Sequence, residues 1–131
     1  MMMLAPISAS ADVAGEETNR FDWSPVMDAI IQVESGGNPN AVCGIYAGAM
    51  QISPVLVREC NNILKSRGSK KRYTLSDRFN VTKSKEMFLI IQSRYNPGND
   101  VEKGIRLWNG GIKYSVRATQ RYYNKVMRNM K

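Results

Sequence analysis

The feature that most constrains this chain is its punctuation. A serine directly followed by proline occurs at Ser24-Pro25 and again at Ser53-Pro54. Such a pair is a helix start, because the hydroxyl accepts a free backbone N–H and proline has none to lose. Glycine and proline clusters supply the stops, at Ser35-Gly36-Gly37-Asn38-Pro39, Asn96-Pro97-Gly98 and Gly110-Gly111. Between these marks there is room for short helices only. Apolar residues recur at helical spacing inside them, as in Val26, Ile30 and Val33 with Met27 and Ile31 alongside.

The spacing predicts five helices. The first starts at Ser24 as N-cap and stops at Ser35. The second runs from Pro54 to about Ser66, with Val55, Leu56, Cys60, Ile63 and Leu64 inward. Asn80 opens a third, which ends near Tyr95. Asn99 with Glu102 three residues on reads as a capping box, so a fourth covers about 100–109. The last covers about 115–129. Residues 36–50 form a glycine-rich loop with room for a short β-hairpin, and residues 67–78 read as a solvated basic loop. The fold class is mainly α.

At 131 residues the chain suits one domain. Hydrophobic residues are 43% and charged residues 23%, which is globular composition. No apolar run reaches the ~20 residues that span a bilayer, so no integral membrane segment is expected. There is no histidine. That excludes Ser-His-Asp and Cys-His catalysis and all His-ligated metal sites. Neither a metal nor an organic cofactor is expected. Residues 1–20 read as a flexible leader. Ala9-Ser10-Ala11 within it fits the small-residue pattern of a signal-peptidase site, so a signal-peptide remnant and a plain leader both stay open. Residues 21–131 are then the functional domain.

Charge is split. Residues 1–34 carry six carboxylates and one base, while the remainder carries five carboxylates and 18 Lys or Arg, for a net charge of +8. The basic part favours an anionic partner or simply confers solubility. No nucleic-acid motif interrupts it, and a nucleic-acid partner is not expected.

Glu34 is the residue with chemical promise. It ends an apolar helix at the edge of the glycine-rich loop. The negative end of the helix dipole and apolar neighbours both disfavour its charged form and raise its pKa. A carboxylic acid protonated near neutral pH suits protonation of a glycosidic oxygen. From position alone, a solvated carboxylate in a last turn is the commoner case.

The local sequence adds to this. Ile30-Ile31-Gln32-Val33-Glu34-Ser35-Gly36-Gly37-Asn38-Pro39-Asn40-Ala41, followed by Gly48-Ala49-Met50-Gln51-Ile52-Ser53-Pro54, resembles the soluble lytic transglycosylase family. Leu107-Trp108-Asn109-Gly110-Gly111 is similar to that family's Ala-Tyr-Asn-x-Gly element, with departures at the first two positions. Thr119-Gln120-Arg121-Tyr122-Tyr123-Asn124-Lys125-Val126 is similar to its Thr-x-x-Tyr-x-x-x-Val helix. The elements keep family order over about residues 24–128.

The resemblance implies a lysozyme-like domain of the goose type. It implies cleavage of the β-1,4 bond between N-acetylmuramic acid and N-acetylglucosamine in peptidoglycan, leaving 1,6-anhydromuramic ends. Glu34 would be the single catalytic acid and base. Gln51 would face the cleft and Met50 its floor. Ser35 would touch substrate or orient the acid. Asn109 would support the site or bind sugar. Trp108, standing where the family has tyrosine, keeps an aromatic face without the hydroxyl. Tyr122, favoured over Tyr123 on side-chain direction, would reach Glu34.

One check is independent of family. Two-carboxylate glycosidases place a second acid ~5–9.5 Å from the first. No carboxylate lies between Glu34 and Glu59. Asp77, Asp100 and Glu102 stay open as second acids brought in by long-range folding. Cys43 and Cys60 read either as a disulfide tying down the loop or as free small hydrophobes. The expected partner is the peptidoglycan glycan strand, met by a monomer that is exported to the periplasm, outside the cell, or in a virion. A specialised role beside a machine for secretion, conjugation or phage penetration fits the small size. A hydrolysing muramidase of the goose type, and an inactive wall-binding or structural component of a secretion system or virion, are the alternative readings.

Overall fold

The computed structural model describes residues 21–130. The leader reading and the signal-peptidase pattern lie outside the described residues. Five α-helices and one small hairpin make up the described part: α1 (Ser24–Ser35), β1 (Val42–Cys43), β2 (Tyr46–Ala47), α2 (Pro54–Ser66), α3 (Val81–Tyr95), α4 (Val101–Gly110) and α5 (Val116–Asn129). A 3₁₀ turn, Leu75–Phe79, stands before α3. The molecule is mainly α. No helix among the described residues is long and apolar enough to cross a membrane.

Helix α1 is central because its sequence is apolar on most of its circumference. Val26, Met27, Ala29, Ile30 and Ile31 are all buried. They pack with Met87, Phe88 and Ile91 of α3, Ile105 and Leu107 of α4 and Val126 of α5 in one continuous core. Helix α5 rests on both α4 and α1. Its buried tie is Arg106 of α4. That guanidinium donates to Val116 O at 2.8 Å, Thr119 Oγ1 at 3.0 Å and Gln120 Oε1 at 2.8 Å, and pairs with Glu102 at 2.9 Å. A buried charge with every arm engaged is tolerated, and it sets the rotation of α5 against α4.

Several local expectations are corrected. Ser24 is the first helical residue instead of the cap, and its N–H is taken by the Asp22 carboxylate at 2.9 Å. On α2 it is Val57 that turns inward, while Val55 is exposed. The Asn99–Glu102 capping box does not form. Asp100 caps α4 through Lys103 N, and Asn99, at φ 55°, accepts the Trp23 indole N–H at 3.2 Å. Buried Asn96 does the turning, donating to Asp100 O and to Gln92 Oε1. The supposed basic loop contains the 3₁₀ turn, opened by a reciprocal Thr74–Asp77 capping box.

The α1–α4 approach depends on Gly104. A Cβ there would stand 2.6 Å from Trp23 Cη2 and 3.0 Å from Gln92 Oε1. Gly104→Ala is expected to destabilise the fold by about 1–3 kcal/mol in urea unfolding, against its ordinary helix-propensity gain of ~1 kcal/mol.

Candidate active site

Glu34 is the penultimate residue of α1 and is partly buried. The Tyr122 hydroxyl of α5 donates to its Oε2 at 2.9 Å. Burial pushes the Glu34 carboxyl up to about 6, and the hydrogen bond from Tyr122 pulls the other way. Burial and the neighbouring Glu34 charge push the Tyr122 hydroxyl far above its ordinary value, so it stays a donor. Tyr123 is engaged elsewhere, its ring 4.6 Å from the Arg106 guanidinium. The α4–α5 tie thus holds the helix that carries Tyr122 to Glu34.

The loop beside Glu34 is gripped from two sides. Ser35 Oγ lies 2.8 Å from Ala49 O and 3.1 Å from Ile31 O, and accepts the Gly37 N–H. Trp108 Nε1 donates to the next carbonyl, Met50 O, at 3.3 Å. The end of α1 and the end of α4 therefore hold adjacent carbonyls of one turn. The Trp108 ring rests on Phe88, with centroids 5.1 Å apart. An indole reaches that carbonyl through its N–H, a donor that does not depend on a phenolic hydroxyl.

The turn itself is tightly built. Gln51 adopts φ 52°, and its amide donates to Ala41 O at 3.2 Å and Gly48 O at 2.9 Å. Its N–H groups thus brace the loop. Met50 has a fully buried side chain and belongs to the core, not to an accessible floor. Ser35 likewise orients the loop. The hairpin closes through Gly44 at φ 61°, pairing Val42 with Ala47 and Cys43 with Tyr46.

The sequence alone gives no signal for Arg78. It stands at the end of the basic 67–78 stretch, yet it donates to Ile45 O at 3.1 Å and Ile52 O at 3.2 Å across the loop. Cys43 and Cys60 are both free, so the disulfide does not exist here. Cys60 is buried on the inner face of α2 with its thiol toward Met87 O, whereas Cys43 is exposed on β1. Burial pushes the Cys60 thiol up to about 12, which leaves it an inert hydrophobe.

The three open second acids are committed elsewhere. Asp77 accepts from Thr74 N and Lys83, Asp100 caps α4, and Glu102 pairs with Arg106. Among the described residues no other carboxylate contributes to the shift at Glu34. Nor do three Cys, Asp or Glu side chains gather at a point where a metal would bind.

Trp108 and Asn109 line a groove of about 410 Å³ together with Tyr46, Glu59, Tyr95 and Ile112. Asn109 is exposed there. Glu34 and Tyr122 are not part of that lining. The arrangement thus has two parts joined by the Ala49–Met50 turn: an acid with its tyrosine, and a groove opening from the end of α4. Comparison with models of protein families, with curated proteins and with solved structures finds no match for this chain.

Proposed function

We propose that the chain is a peptidoglycan lytic transglycosylase built as a goose-type-lysozyme-like domain, with Glu34 as its single acid and base. One observation carries the reading. The Glu34 carboxyl is held near pKa 6, hydrogen-bonded by a tyrosine that stays protonated, with no second carboxylate among the described residues acting on it. That suits an acid which must give a proton and then take one back.

In the proposed reaction, protonated Glu34 gives its proton to the oxygen of the scissile β-1,4 bond as that bond breaks at C1. The resulting carboxylate takes the proton of the muramic C6 hydroxyl. That oxygen bonds to C1, which closes the 1,6-anhydro ring and restores the acid. No water is consumed. With a pKa of about 6, roughly a tenth of Glu34 carries its proton at pH 7, enough for turnover. Tyr122 holds the carboxyl in place and keeps its pKa from rising further.

The basic surface then serves adhesion to anionic wall polymers. The proposed activity suits an exported enzyme that opens the wall locally beside a secretion, conjugation or phage-penetration machine. Purified sacculi test the reading. Wild type is expected to release soluble muropeptides and Glu34→Gln to release none above background. Equal release by the two would leave a wall-binding component as the reading.

Tyr122→Phe gives a sharper check. The lost hydrogen bond lowers the Glu34 pKa, so its removal raises that pKa above about 6. Activity that needs the protonated acid falls as pH rises through this value. The alkaline limb of the kcat/KM profile is therefore expected to move to higher pH in Tyr122→Phe, with a lower maximum from the less fixed carboxyl.

A further inference from the structure

We propose that the groove at the end of α4 binds an ammonium group carried on an aliphatic chain. The occupant is the diamino acid of the peptidoglycan stem peptide; this identification rests on the proposed function, while the ammonium chemistry rests on the groove itself.

Glu59 is the charged side chain of the groove lining, which contains no lysine or arginine. It is partly buried at mid α2. The Tyr95 hydroxyl donates to its Oε2 and fixes its orientation. Its Oε1 receives no hydrogen bond from the described residues. Among the described residues Asp28, Asp77, Glu86 and Glu102 each pair with a lysine or arginine, and Glu59 does not. Arg94 lies against the Tyr95 ring at 5.1 Å and forms no ion pair with Glu59. In a protein of net charge +8, Glu59 thus stands inside a concavity with no lysine or arginine paired to it among the described residues.

Such a group attracts a cation, and the surroundings specify which kind. The free Glu59 oxygen, the lone pairs of the Tyr95 oxygen and the Asn109 carboxamide offer acceptors to an –NH₃⁺. Val55 and Ile112 are 61% and 60% exposed at the rim, with Leu56 and Ile91 also lining the groove. Those apolar surfaces match the methylenes of a lysine-like chain. A neutral sugar would use the hydrogen bonds but leave the carboxylate uncompensated. In peptidoglycan the diamino acid of a stem not cross-linked through it carries a free ammonium on an aliphatic chain.

The test is an NMR titration of the wild-type full chain with the tripeptide L-Ala-γ-D-Glu-L-Lys and with its ε-N-acetylated form. The free peptide is expected to shift amides of α2 and of the end of α4, and to bind at least about tenfold more tightly than the acetylated one. Glu59→Gln is expected to remove that preference. Equal binding of the two peptides, absence of binding, or a preference unchanged in Glu59→Gln would overturn the proposal. The acetylated peptide reads the same interaction without any substitution, so a misfolded variant does not hide the answer. The titration does not depend on lysis. Loss of the transglycosylase reading and loss of this site are therefore distinguishable: the first appears in sacculus digestion by Glu34→Gln, the second only in the peptide titration.

Discussion

Glu34→Gln is expected to cut lytic turnover by a factor of ~10²–10⁴ or to background, the range for losing a positioned acid. The same substitution is expected to stabilise the fold, and only on one side of pH 6. The folded-state pKa of Glu34, about 6, lies above its ordinary value of 4.5. Folding therefore binds a proton between those values. Below about 4.5 the acid is neutral in both states and costs nothing. Stability falls as pH rises from 4.5 to 6 and stays lower above that. The full difference is about 2 kcal/mol. Glutamine carries no charge and can still accept from Tyr122. Thermal unfolding at pH 8 is expected to give Glu34→Gln the higher Tm, and at pH 4 the two Tm values are expected to converge. A variant that loses activity without the pH-dependent gain would mean that Glu34 is not the desolvated acid described.

Gly48→Ala has the largest expected cost to the fold. Gly48 sits at φ 85°, in the left-handed region where a Cβ is strained. A Cβ there would also lie 1.7 Å from Arg78 O and 2.8 Å from Arg78 C. Both atoms are backbone of the 3₁₀ turn and cannot swing aside. Arg78 meanwhile ties that turn to Ile45 and Ile52. Accommodating the methyl means parting the turn from the loop. A loss of about 3–5 kcal/mol is expected in chemical denaturation, a large share of the ~5–15 kcal/mol that holds a domain together. Gly36→Ala is the control. Gly36 has φ 62° but no atom within 4 Å of an added Cβ, so only ~1–2 kcal/mol of backbone strain is expected.

The helix limits were legible because their causes are local. Proline after serine, glycine pairs and apolar periodicity act within one turn of chain. They place the start of α1 within one residue of Ser24 and its end at Ser35, α2 at Pro54–Ser66 and the end of α3 at Tyr95. Caps were less legible, since Asp22, Asp100 and Asn99 are near-equivalent in type and the choice follows from backbone angles and from the distant Trp23. Val55 and Val57 are both apolar, and only the docking of α2 on α3 decides which turns inward.

Long-range ties were not legible from periodicity at all. Arg78 meets Ile45 and Glu59 meets Tyr95 across spans that no local rule covers. The contact of Tyr122 with Glu34, 88 positions apart, has no signal in the spacing; the expectation of it came only from the resemblance of the Thr119–Val126 segment to a family element. Ser35, Met50 and Gln51 are instructive in another way. They stand beside the candidate acid, yet the Ser35 hydroxyl and the Gln51 amide N–H groups bond the loop and the Met50 side chain lies in the core. A glycine-rich turn with several left-handed residues needs such bracing to hold one shape.

In the proposed reaction Glu34 works without a water nucleophile. Digestion of peptidoglycan in H₂¹⁸O, followed by mass spectrometry of the muropeptides, tests this most directly. The expected products carry 1,6-anhydromuramic ends, one water lighter than reducing ends and free of ¹⁸O, and they disappear with Glu34→Gln. Reducing muramic ends labelled with ¹⁸O would show a hydrolysing muramidase and contradict the single-acid mechanism.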